Sequence, residues 1–124
     1  MPTTAKSLID AANAVVPKIS GQEAREMVAN GAVIVDVRDS AEVAQTGKAK
    51  GALHIPRGSL EFKADQSAPS AEKALATDKP VILHCASGGR AALAGKLLKD
   101  MGYEKVYNLG GFKDWVEAGG EVEK

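Results

Sequence analysis

Two unbroken apolar runs, AVIVDV (32–37) and PVILHC (80–85), constrain this chain more than any other feature. Both are too short for a self-sufficient helix, and they are apolar at successive positions where a half-exposed strand would alternate. Such runs suit strands buried on both faces, the habit of parallel sheets with helices above and below. Helical patterns lie between and around them, and no tight hairpin signal joins consecutive strands. The expected class is therefore α/β, with ligands at the carboxyl ends of the strands.

The helices announce themselves by spacing and caps. Leu8, Ile9, Ala12, Val15 and Val16 recur at helical intervals and are stopped by Pro17. Ser20 with Glu23 three residues on forms a capping box, and Gly31 is the matching stop. SAEVAQTG predicts a short helix, GALHIP a brief strand, and 63–79 a loop with a short surface helix. Leu93, Leu97, Leu98 and Met101 mark one face of a helix closed by Gly102, KVYNL is a further strand, and Phe112, Trp115 and Val116 turn inward from a last helix.

Charge narrows the function classes. Lys and Arg number 16, as do Asp and Glu, so the formal net charge is zero. A broad electrostatic footprint for nucleic acid or an anionic membrane is not expected. No segment is apolar enough for a secretory signal or a membrane span, and the single cysteine leans towards a reducing compartment, so a cytoplasmic protein is expected.

That cysteine, Cys85, ends PVILHC and is followed by Ala86, Ser87, Gly88, Gly89 and Arg90 before the next helix. Small side chains let the backbone curl and aim several N–H groups at one point. The helix dipole adds partial positive charge there, and Arg90 a full one. A thiolate is stabilised at such a focus. The position makes a nucleophile and an anion cradle together; the plainer alternative is a buried strand end with a glycine turn.

These residues carry a family resemblance. VIVDVRDSAEVAQTGKAKGALHIPRGSL resembles the first half of a rhodanese domain, and PVILHCASGGRAALAGKLLKDMGYEKVYNLGGFKDW its second half. The D-V-R, G-A-x-x-I-P and G-G-F-x-x-W elements occur in order. The resemblance implies a rhodanese-like α/β fold with a central, mainly parallel five-stranded sheet and helices on both faces. It divides the chain into an N-terminal helical extension packed on the domain (1–18), the rhodanese domain (19–118) and a short C-terminal tail (119–124).

The resemblance also implies a thiosulfate sulfurtransferase. A Cys85 thiolate takes a sulfur from a donor such as thiosulfate, and the persulfide passes it to cyanide, a thiol or a protein acceptor. No metal or organic cofactor is needed. The N–H groups of Ala86 through Arg90 would hold the persulfide, with the Ser87 hydroxyl as a further donor. One departure bears on the donor: Ala86 and Ser87 are neutral where thiosulfate-specific tandem members carry C-R-K-G, so Arg90 is expected to meet the anion.

Asp36 and Arg38 close the first strand near the expected site. They either shape its rim or pair with each other to fix the next loop, and the second is the common use of charges at strand ends. His84 points to the face opposite Cys85 by strand alternation. His54, Arg57, Lys48 and Lys50 read as packed or solvated surface groups. With one cysteine and two histidines, no metal site is expected.

Two further functions compete. Dual-specificity phosphatases of the same fold class use a cysteine loop with one residue more before the arginine. A silent interaction module often lacks the cysteine, which this chain retains. Sulfur transfer leads.

Overall fold

The computed structural model describes residues 2–124, so Met1 of the expected extension lies outside the described residues. Helix α1 (Ala5–Val15) is capped by Thr4 and Ser7, each accepting the other's N–H at 3.1 Å. Helix α2 (Gly21–Ala29) starts on the expected box: Glu23 donates its N–H to Ser20 Oγ, and Ser20 donates its own to Glu23 Oε1. The first half continues through β1 (Val33–Asp36), α3 (Ser40–Thr46), β2 (Lys48–Ala49), β3 (Leu53–His54) and α4 (Leu60–Ala64). The second half holds β4 (Val81–Cys85), α5 (Gly89–Asp100), β5 (Val106–Gly111), α6 (Phe112–Glu117) and β6 (Val122–Glu123).

Four strands form one parallel sheet in the order β3-β1-β4-β5. Beyond β5 the fifth position is filled by a single parallel bridge from Lys18 to Asn108. Both apolar runs occupy the sheet's centre, which is why they show no alternation: each of their faces is covered. Val35, Val81, Leu83 and Cys85 face one way, against Leu60 of α4, Ala91, Ala94 and Leu98 of α5, and Val16. Ile34 and Ile82 face the other way, against Ala24 of α2 and Trp115 of α6. Each such aliphatic side chain contributes about 1.5–3 kcal/mol by leaving water.

Helix α5 lies on the sheet by its small residues. Ala91, Ala92, Ala94 and Gly95 are buried beside Leu98, while Leu93 and Leu97 are half-buried at its edge. A Cβ at Gly95 would stand 2.9 Å from Val16.

Three local expectations are corrected. The short helix assigned to 63–79 is α4, earlier in the chain; beyond it the backbone makes a run of turns, held by Tyr103 donating to Ala64 O at 2.8 Å and by buried Leu75. Val116 is 45% exposed, so α6 turns only Trp115 fully inward. The C-terminal residues are more than a tail, because β6 pairs antiparallel with β2 and Lys48 ion-pairs with Glu123. Among the described residues no helix is long and apolar enough to cross a membrane.

Candidate active site

Strand β4 delivers Cys85 to the carboxyl edge of the sheet, and α5 begins four residues later. The loop between them turns on Gly88, whose φ of +105° is a left-handed conformation that side chains disfavour. In that conformation Gly88 donates its N–H to Cys85 Sγ at 3.0 Å. Of the five amides expected around the sulfur, from Ala86 to Arg90, this is the one bonded to it. Ala86 and Ser87 are exposed, while Cys85 itself is fully buried beneath them.

Strand β5 forms the other side of the loop. Asn108 donates from its side-chain amide to Gly88 O at 3.3 Å and accepts the Gly110 N–H at 2.7 Å, so one buried side chain ties loop to strand. The β4–β5 register slips after Leu83, which pairs with Asn108, and sets His84 opposite Gly110 and Cys85 opposite Gly111. A Cβ at Gly111 would collide with Ala86 O, so β5 approaches the loop as closely as only glycine allows.

Arg90 makes no hydrogen bond to the sulfur and forks onto Glu42 of α3, with Nη1–Oε2 at 2.8 Å and Nη2–Oε1 at 2.9 Å. Glu42 also accepts the Asp39 N–H at 2.9 Å. Arg90 and that amide pull the Glu42 carboxyl down to about 2. Glu42, with smaller help from the charges of Cys85 and Asp39, holds Arg90 above its ordinary value. The arginine is within electrostatic reach of the thiol, but both of its terminal nitrogens are bonded to Glu42.

Asp36 and Arg38 pair with each other. Arg38 Nη2 meets Asp36 Oδ2 at 2.7 Å and its Nε meets both carboxylate oxygens, while Nη1 and Nη2 donate to Thr46 Oγ1 and Gly47 O. The guanidinium also stacks on Phe112 at 4.4 Å. Burial alone would raise the Asp36 carboxyl; the Arg38 donors and the charges of His84 and Arg38 outweigh it, so it lies below its ordinary value. The pair knits β1 to the end of α3.

His84 lies on the face opposite Cys85, its ring 6.0 Å from that of Phe112. It donates Nδ1–H to Cys85 O at 3.3 Å, while Nε2 stands 3.6 Å from Asp36 without a hydrogen bond. Burial pushes its imidazole below the ordinary value, against the pull of Asp36. His54 donates to Arg38 O at 2.8 Å. Arg57, Lys48 and Lys50 are engaged by Glu61, Glu123 and Glu121.

Sequence reasoning gave no role to Glu42, Asn108 or Gly111. Glu42 had a legible signal in the D-x-x-E spacing from Asp39 that marks a helix start, and Gly111 lay within the G-G-F-x-x-W element; Asn108 had none.

Comparison with known proteins bears on the family and the fold. The model of the Rhodanese-like domain matches residues 20–118. Thiosulfate sulfurtransferase GlpE of Haemophilus influenzae is 34% identical over 103 residues, covering 82% of this chain and 89% of that protein. Human thiosulfate:glutathione sulfurtransferase is 36% identical over 109 residues, covering 82% and 94%. Among solved structures, a Rhodopseudomonas palustris protein of unknown function, described as a possible tyrosine phosphatase, superposes with a TM-score of 0.86 at 37% identity, covering 99% of both chains.

Proposed function

The chain belongs to the rhodanese family, and on that premise we propose that Cys85 carries sulfane sulfur from thiosulfate to a thiophilic acceptor. The Cys85 thiolate attacks the outer sulfur of thiosulfate. A new S–S bond forms, the donor's S–S bond breaks, and sulfite leaves with the electron pair. An acceptor, cyanide or a thiolate on a small molecule or protein, then attacks the outer sulfur of the persulfide and expels the Cys85 thiolate. The free thiol such a cycle needs suits the cytoplasm.

One observation carries this reading: the Gly88 N–H on Cys85 Sγ at the start of α5. An amide fixed there stabilises negative charge on the sulfur before and after transfer, at no cost in reorganisation. The start of α5 adds its own partial positive charge. With Arg90 held by Glu42, backbone dipoles supply the local attraction for the donor's anion. Cys85 is fully buried, and the exposed Ala86–Ser87 segment is the side from which a donor would approach it.

The test is intact-protein mass. Thiosulfate should add one sulfur atom, and cyanide or dithiothreitol should remove it. Cys85→Ser should fold and gain nothing; a sulfur adduct on that variant would overturn the assignment.

A further inference from the structure

Beside the cysteine loop, and sharing Ser87, Gly88 and Gly89 with it, lies a cleft of about 340 Å³. Its apolar wall is Ile9 and Val16 with Pro17, and its polar edge is Asn13, Lys18 and Ser87. Gly88, Gly89 and Asn108 complete the side shared with the loop. The volume is that of a site for an organic molecule; thiosulfate would leave most of it empty.

Lys18 gives the cleft its sign. Two backbone bonds fix its position: Asn108 donates to Pro17 O at 2.9 Å and Ile19 donates to Asn108 O at 3.0 Å. Its ammonium lies beside Gly110, 3.6 Å from where a Cβ would be. The Asp114 carboxylate stands 3.1 Å from the same point and accepts the Gly111 N–H. Among the described residues Lys18 has no carboxylate within ion-pair distance, and it is the one cationic side chain in the lining of the cleft.

We infer that this cleft is the acceptor subsite, and that it takes a small thiol bearing a carboxylate, with the carboxylate on Lys18 and the aliphatic part against Ile9 and Val16. Ser87 belongs both to the cleft and to the loop over Cys85, so an acceptor anchored at Lys18 extends across Ser87 towards the persulfide. The inference rests on sulfur transfer through Cys85 and adds the class of molecule that discharges the persulfide.

The experiment separates loading from discharge. Protein loaded with thiosulfate is mixed with 3-mercaptopropionate or with neutral 2-mercaptoethanol, and loss of the extra sulfur is followed by mass. In Lys18→Gln, loading should be unchanged and discharge by 3-mercaptopropionate should slow about fivefold at subsaturating thiol, the worth of one partly exposed charge pair. Discharge by 2-mercaptoethanol should not change, and Lys18→Arg should restore the preference. Equal slowing with both thiols, or with neither, overturns the subsite. If wild-type protein takes up no sulfur, the sulfur-transfer reading has failed instead. The subsite is then judged by 3-(methylthio)propionate, which should shift the amide resonances of Lys18 and Ser87 in Cys85→Ser and in wild type; unmoved resonances sink it.

Discussion

Arg90 and Glu42 form a two-pronged ion pair that joins the first turn of α5 to α3 across 48 residues of sequence. The helix that begins under the cysteine loop is thereby held by the helix that comes after β1. The same carboxylate accepts the Asp39 N–H that starts α3, so one side chain fixes two helix starts.

Glu42→Gln should therefore cost about 0.5–1 kcal/mol at neutral pH, a modest figure because both partners are a third exposed. The folded protein holds this carboxyl at about 2, below the 4.5 of an unperturbed glutamate. Its contribution is complete above pH 4.5 and is lost as pH falls towards 2. Urea unfolding of wild type and variant should show a gap at about pH 7 that narrows at about pH 3. A gap that is constant with pH would mean that the pair adds nothing.

Asp36→Asn leaves the Arg38 guanidinium buried, 3% exposed, without its counter-charge. The expected loss is about 3–5 kcal/mol, whereas Asp36→Asn combined with Arg38→Met should recover much of it. The low Asp36 carboxyl stabilises the fold above its unfolded value and ceases to as pH drops below. Persulfide loading per folded molecule should survive in the double variant, as measured by mass beside urea unfolding. Loss of loading there would put the pair in the chemistry.

Gly111→Ala drives a methyl group into the Ala86 carbonyl and should displace the loop. Overpacking of this kind costs about 1–3 kcal/mol, and a misplaced cradle should slow thiosulfate loading by about tenfold or more. Gly95→Ala is the control, since its clash is with the side chains of Val16 and Val106 and not with the backbone of the loop. It should lose stability but load normally once folded.

Four residues separate Cys85 from Arg90, and the arginine is paired with Glu42. A phosphoryl group presents three charged oxygens, each needing a donor, and this loop offers the sulfur one amide. Hydrolysis of p-nitrophenyl phosphate should be negligible beside sulfur transfer from thiosulfate, and a glycine inserted after Gly89 should depress sulfur transfer. Aryl phosphate hydrolysis through Cys85 at rivalling rates would reverse the assignment.

What was legible in the sequence was what local pattern encodes. The buried runs at 33–36 and 81–85, the Ser20–Glu23 box and the glycine turn after Cys85 all rest on neighbours within a few residues. Arg90 was read as a free cation because nothing near it names Glu42, which only the folded sheet brings alongside. Val116 and α4 were misplaced because a short helix carries too few turns to define a face. Strands β2 and β6 escaped notice because two-residue strands have no period, and they exist only through each other.

The extra residue in β5 has a consequence for how such chains vary over time. Leu109 packs against the α2 and α6 side of the sheet, while the next two residues, Gly110 and Gly111, stand opposite His84 and Cys85. In an unbroken ladder one position would have to serve both demands, a large apolar side chain for the core and bare backbone for the loop. The bulge divides them between separate codons. Leu109 can therefore be exchanged for another aliphatic residue without touching the two glycines that stand opposite His84 and Cys85.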